Sequence, residues 1–215
     1  MAIETKNLKK QKDGKNDKTM NEFEVFGQKK EIEQITLPDA KAVLERGLKY
    51  FVGEHYQWLP EYDEVCRWLA DNKRRGLMLF GSNGRGKTQI CHNIMPVLFK
   101  HYFHRDYLCV EAKNLSQYNR SEIDKCTLWY ATTPIIIDDV GVESIANDYG
   151  EKRDLFSEIV DQCEKKKRLL ILTTNLTPDE ICERYGLRTL DRLKVIVKAI
   201  KFKGDSLRDW SLEEK

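Results

Sequence analysis

A chain of 215 residues, 40% hydrophobic and 33% charged, is long enough for one substantial core and polar enough to stay in water. Its longest apolar runs, around Ile135–Ile137 and Leu169–Leu172, fall far short of the ~20 residues a membrane helix needs. A net charge of +2 argues against a broad polycationic face, so any nucleic-acid contact has to be local.

The first 20 residues hold six lysines against Glu4, Asp13 and Asp17, without the apolar stretch of a secretory leader. Residues 1–34 read as a basic, disordered tail, either a solvated arm or one that reaches a nucleic acid or a protein. Cys66, Cys91, Cys109, Cys126, Cys163 and Cys182 form no C-x-x-C pair, and the four histidines lack metal-ligand spacing. Structural thiols in a reducing cytoplasm are expected.

From Pro38 to Val52, Ala40, Val43, Leu44, Leu48 and Phe51 recur at helical spacing. Pro60 suits the first turn of a second helix with Tyr62, Val65, Cys66 and Leu69 on its apolar face. The aromatic segment between them, GEHYQWLP, reads as a packed connector or as a wall for a nucleotide base or a partner. Strand LMLF (77–80) follows, then a Gly-rich turn and a helix from about Gly86 to Tyr102. Strand YLCVEA (107–112), a polar helical stretch, strand PIIIDDV (134–140) and a helix over 149–166 come next. Strand LLILTT (169–174), short helices over 178–185 and 189–193, and a last strand VIVKAIKF (195–202) complete the order. This alternation predicts an α/β fold with a mostly parallel central sheet flanked by helices.

Residues 81–88, GSNGRGKT, match the phosphate-loop pattern GxxxxGK[ST], which chance supplies in about one chain per hundred of this length. An apolar strand enters the loop and a helix leaves it, as phosphate binding requires. Gly81, Gly84 and Gly86 let the backbone bend and, with Ser82, Asn83 and Arg85, bring its N–H groups to phosphate oxygens. Lys87 would neutralise the β- and γ-phosphates, and Thr88 would ligate Mg²⁺. Fifty residues on, the acidic strand ends in two carboxylates: Asp138 to hold Mg²⁺, Asp139 to act as general base toward water. That second acid, and the lack of a guanine-reading NKxD, argue for ATP hydrolysis over GTPase or kinase chemistry. Asn175, with Thr174, would hydrogen-bond the γ-phosphate or the attacking water. Arg184, Arg188 and Arg192, at intervals of four, read as a solvated stripe or as donors of an arginine to a neighbouring subunit's phosphates, Arg192 before Arg188.

Taken together, RGLMLFGSNGRGKT (75–88), IIIDDVGVE (135–143), LTTNLTPDEICERYGLRTLDRL (172–193) and GDSLR (204–208) resemble AAA+ ATPases of the DnaC/IstB-like group. The resemblance covers roughly residues 55–208. It implies a P-loop NTPase fold of the AAA+ type, ATP and Mg²⁺ as cofactors, Asn175 as sensor 1, and Arg192 or its neighbour Arg188 as arginine finger. It also implies a cytoplasmic DNA-replication ATPase that self-associates when ATP-bound and loads a hexameric replicative helicase onto single-stranded DNA, without a membrane. An IstB-like regulator of a transposase is the alternative, and an ATP-binding adaptor without hydrolysis a further one. Residues 1–34 are then the tail, 35–59 a short partner-binding segment whose Ala40–Phe51 face would either grip the helicase or pack on the protein's own core, and 60–215 the ATPase domain. Lys165, Lys166, Lys167 and Arg168, and Lys198, Lys201 and Lys203, are either solvated or DNA-backbone contacts. The chain departs from the family pattern in Asp139 where glutamate is usual, in DQCEKKKR (161–168) where an Arg-Tyr pair is frequent, and in the absence of a helical lid after Arg192.

Overall fold

Apolar runs such as Leu77–Leu79, Ile135–Ile137 and Leu170–Leu172 have no polar face to give to water, so they form strands that are covered on both sides. The computed structural model describes residues 30–117, 133–143, 146–148 and 151–207. Strands β1 (Gly76–Gly81), β2 (Leu108–Glu111), β3 (Ile135–Val140), β6 (Leu170–Thr174) and β7 (Val197–Phe202) make a five-stranded sheet in the order β2-β3-β6-β1-β7. Every pairing is parallel, with Leu77 opposite Ile171 and Lys198, and Ile137 opposite Leu172. All five C-terminal ends therefore reach one edge of the sheet, where open α/β folds place their ligands.

Helix α1 (Ala40–Val52) buries Ala40, Val43, Leu44 and Leu48 and packs on the Gln89–Ile94 turn and on α2 (Pro60–Ala70). A Cβ added at Gly47 would come within 3.1 Å of Ile94, which is how closely the two helical segments approach. Ala40, Val43, Leu44 and Leu48 of this face are thus spent on the protein's own core, the second of its two expected uses, while Phe51 stays 38% exposed. Order also begins before Ile35: Ile32, Ile35 and Leu37 are buried, and the Leu37 N–H donates to the Leu69 carbonyl (2.9 Å). Asn72 anchors this segment, accepting from the Ile35 N–H (3.0 Å) and donating to the Glu33 carbonyl (2.9 Å). From Glu31 onward the described residues belong to one compact unit, so residues 35–59 share the core of the sheet.

The helix leaving the phosphate loop is π-helical over Gln89–Ile94 before it continues as α3 (Met95–His101), and the Met95 N–H donates to the Ile90 carbonyl. Pro96 has no N–H to offer the preceding turn, and a widened turn accommodates that loss. The helix expected over 149–166 begins later. β4 (Ala146–Asp148) and β5 (Glu151–Arg153) pair antiparallel, and α4 (Leu155–Lys166) starts after Asp154, whose side chain caps the Ser157 N–H. The polar stretch after β2 begins as a 3₁₀ turn over Ala112–Gln117, and the rest of that expected helix lies outside the described residues. Helices α5 (Pro178–Tyr185) and α6 (Leu187–Ile196) are split by Gly186 at φ 84°. Among the described residues no helix follows β7, and none is long and apolar enough to cross a membrane.

Replacing Asn72 by alanine leaves the Ile35 N–H and Glu33 carbonyl without their partner. Urea unfolding of Asn72→Ala is expected to show a loss of about 2 kcal/mol, the cost of orphaning such groups.

Candidate functional site

The loop between β1 and the following helix is bent by conformations that side chains resist. Gly81 sits at φ 110° with its Cα facing the Phe202 carbonyl, where a Cβ would lie 2.4 Å away; Gly86, at φ 85°, would meet the Tyr62 hydroxyl at 2.6 Å. That hydroxyl donates to the Arg85 carbonyl (3.1 Å), and burial pushes the phenol up to about 12, so it stays a donor. Lys87 is buried, and its ammonium donates to the Gly81 and Ser82 carbonyls, each at 2.7 Å. Ser82 is itself tied to β7 through its N–H and the Phe202 carbonyl (3.0 Å).

Arg85 was expected to offer its backbone N–H to a phosphate, and its guanidinium is engaged elsewhere. It pairs with Glu61 of α2 at 2.7 Å, the two side chains being only 10% and 7% exposed. Burial by itself pushes the Glu61 carboxyl up; the Arg85 guanidinium and the backbone N–H groups bonded to it hold it below its ordinary value. Arg85 also donates to the Asp205 carbonyl (3.1 Å), Glu61 accepts from the Lys203 N–H (3.2 Å), and the Leu207 N–H donates to the Gly84 carbonyl (3.1 Å). A charge this far from water has to be paired, and the pair fixes the loop from behind.

At the end of β3 the ladder with β6 shifts register between Ile137 and Val140. Asp139 takes a left-handed conformation, φ 59°. Side chains of β6 make up the missing ladder bonds. The buried Thr173 hydroxyl donates to Asp138 Oδ1 (2.6 Å) and accepts from the Asp139 N–H (2.8 Å). Thr174 donates to the Val140 carbonyl (2.6 Å), and the Asn175 amide donates to Asp139 Oδ1 (3.2 Å). Thr174 is therefore structural and does not accompany Asn175 toward a phosphate. Beyond the bulge, Glu143 accepts from the Gly141 N–H (2.8 Å) and from the Tyr185 hydroxyl, and so ties this loop to α5.

One cavity of about 740 Å³ gathers these parts. Residues 83–89 of the phosphate loop line it, with Asp139, Thr173 and Asn175 on one side. Leu48, Phe51, Val52, Tyr56 and Leu207 also line it, so the cavity has polar and apolar parts. Within the connector, His55, Tyr56 and Gln57 reach the cavity, while Trp58 packs edge-on against Tyr62 (5.6 Å). The donor set suits Mg²⁺, which takes hard oxygen ligands and shares them with substrate phosphates: the Thr88 hydroxyl and the Asp138 carboxylate.

The arginines lie elsewhere. Arg184 on α5 donates to the Glu143 carbonyl, and the break at Gly186 removes the single stripe expected from their spacing. Arg192 is 17% exposed and paired with Asp161 and with Glu164 (2.7 Å) of α4; Arg188 is 76% exposed, 3.7 Å from Asp161. Both line a second cavity of about 450 Å³ and not the first. Of the two, Arg188 is the more exposed. Arg168 is buried and donates to the Thr133 carbonyl, so it drops out of the basic cluster at 165–168. Cys163, next to Gln162, is also buried, and burial pushes its thiol up to about 12. Lys198, Lys201 and Lys203 are exposed at the outer strand β7. Sequence reasoning missed Glu61, Thr173 and Glu143. A threonine doublet before Asn175 was the one visible signal; nothing in a sequence marks which carboxylates will be buried.

No family model matches the chain, and a search of curated proteins finds no match. Among solved structures, DnaI aligns at 23% identity over 80% of this chain and 86% of that one, with a TM-score of 0.49. The DnaC helicase loader aligns at 17% over 78% and 93%, also at 0.49. Domain III of the Thermotoga maritima replication initiation protein DnaA aligns at 14% over 70% and 65%, at 0.50. At these identities the likeness is one of fold: a five-stranded parallel α/β sheet flanked by helices.

Proposed function

We propose that the chain is a Mg²⁺-dependent ATPase of the DnaC/IstB-like group that loads a hexameric replicative helicase onto single-stranded DNA. The observation that carries the ATPase reading is that Lys87, Thr88, Asp139 and Asn175, from three separate strand ends, line one cavity. The loader reading rests on the resemblance of residues 172–193.

Backbone N–H groups of residues 84–88 and the Lys87 ammonium would bind the phosphates, Lys87 exchanging loop carbonyls for phosphate oxygens. Thr88 and Asp138 would hold Mg²⁺, which when bound neutralises charge on the β- and γ-phosphates. Asp139 takes the proton of the attacking water as general base. One of its oxygens is engaged by the Asn175 amide, which orients the carboxylate toward the cavity. Among the described residues Arg85 is the one arginine lining this cavity, and it is already spent on Glu61. A neighbouring copy would supply the cation for the transition state, with Arg188, the more exposed of the two candidates, as its donor. Ala40, Val43, Leu44 and Leu48 of α1 being buried, the helicase contact is sought in residues 1–34, and DNA-backbone contact at Lys165–Lys167 or at Lys198, Lys201 and Lys203.

Lys87→Ala is expected to abolish binding of a fluorescent ATP analogue, whereas Asp139→Asn binds it and hydrolyses ATP at least about 100-fold more slowly. Unchanged affinity in the first or unchanged turnover in the second would remove the assignment. Arg188→Ala is expected to lose turnover and to regain part of it when mixed with Lys87→Ala; no recovery at any ratio means that the arginine does not act in trans. ATP-loaded Asp139→Asn used as bait in host lysate is expected to retain a replicative helicase, and a transposase in its place moves the function to target-site selection.

A further inference from the structure

The two acids at the end of β3 are both bonded by one side chain. Where the β3–β6 register shifts, Asp139 cannot place its N–H in the ladder. That N–H goes to Thr173 Oγ1 (2.8 Å), and the hydrogen on the same oxygen goes to Asp138 Oδ1 (2.6 Å). A hydroxyl has one hydrogen to give, so with the backbone N–H on its lone pair it is committed to Asp138 as donor. Thr173 is 2% exposed, at the wall of the cavity. Its neighbours are otherwise occupied: Thr174 on the Val140 carbonyl and Asn175 on Asp139 Oδ1.

We infer that Thr173 is the positioning residue of this site: its hydroxyl sets the orientation of the Asp138 carboxylate toward Mg²⁺ and, through the Asp139 backbone, holds the base in its left-handed turn. Thr173 is not a catalytic residue, since it acts through the two acids. The inference rests on the proposed function, because it assigns Asp138 to Mg²⁺. By engaging one carboxylate oxygen it leaves the other directed to the cation, the arrangement by which outer partners of metal ligands raise affinity.

The test compares Thr173→Val, which keeps the shape and loses both bonds, with Thr173→Ser, which keeps the hydroxyl. Binding of a fluorescent non-hydrolysable ATP analogue is titrated to each full-length protein in Mg²⁺ and in EDTA. The wild type binds more tightly in Mg²⁺. Thr173→Val is expected to lose about 10–100-fold of that Mg²⁺-dependent gain with its EDTA affinity unchanged, and Thr173→Ser to restore it. Thr173→Cys, with a poor donor in the same place, repeats the comparison if the valine variant does not fold. A valine variant weakened equally in both conditions, or a serine variant that behaves like valine, makes Thr173 a packing residue and overturns the inference alone. A wild type that binds equally with and without Mg²⁺ overturns the reading of the site, and the inference with it.

Discussion

Glu61 and Arg85 meet almost out of reach of water, and the phosphate loop is held by what they tie together. Through this pair α2, the loop and the chain beyond β7 share one charged node, to which Lys203 and Asp205 add backbone bonds. The node costs desolvation of two charges, and such a pair is weak evidence for stability. Its value here is positional. It takes the arginine's charge out of the cavity, so that Lys87 is the cation left in the loop itself. It also keeps the backbone of residues 84–86 at a set distance from β7, with Gly86 resting on Tyr62 and Gly81 on Phe202. A loop that binds through N–H groups works only if those groups are in place before the ligand arrives.

The same economy governs the other side of the cavity. Three consecutive residues, Thr173, Thr174 and Asn175, each satisfy one part of the bulged end of β3. A regular ladder would have kept Asp138 and Asp139 on opposite faces of a strand, since neighbouring side chains alternate. The register shift and the positive φ of Asp139 break that alternation, and Asp139 reaches the cavity while Asp138 stays beneath it. Glu143, bonded by Gly141 and Tyr185, then ties the loop after the bulge to the helix that follows Asn175. Both strand ends are therefore linked twice, once through hydroxyls and once through this carboxylate.

The arginines illustrate how acids decide what a basic residue can do. Arg192 has two carboxylates from α4 within its reach and is nearly covered by them. Arg188, one turn earlier, is left in solvent with a single loose contact. Asp161 is shared among Arg192, Arg188 and Lys165, and the Lys165 ammonium, ahead of the two arginines, keeps its carboxyl below the usual range. Spacing along the chain makes the two arginines equivalent; packing of α6 against α4 does not.

The sequence by itself determined the sheet and the loop. Uninterrupted apolar runs can only be doubly covered strands, and GSNGRGKT between such a strand and a helix has one physical use. It also determined that acids and an asparagine stand at strand ends, because each follows directly on an apolar run. What only the tertiary structure decided is which polar groups are paired. The Arg85 guanidinium is paired by Glu61, 24 positions away, and of the two uses open to the Ala40–Phe51 face α1 takes the core for Ala40, Val43, Leu44 and Leu48. The hairpin that delays α4 likewise depends on pairing rather than on periodicity. Burial and hydrogen-bond pairing are set by the atoms that surround a side chain, and the order of residues along the chain does not record them.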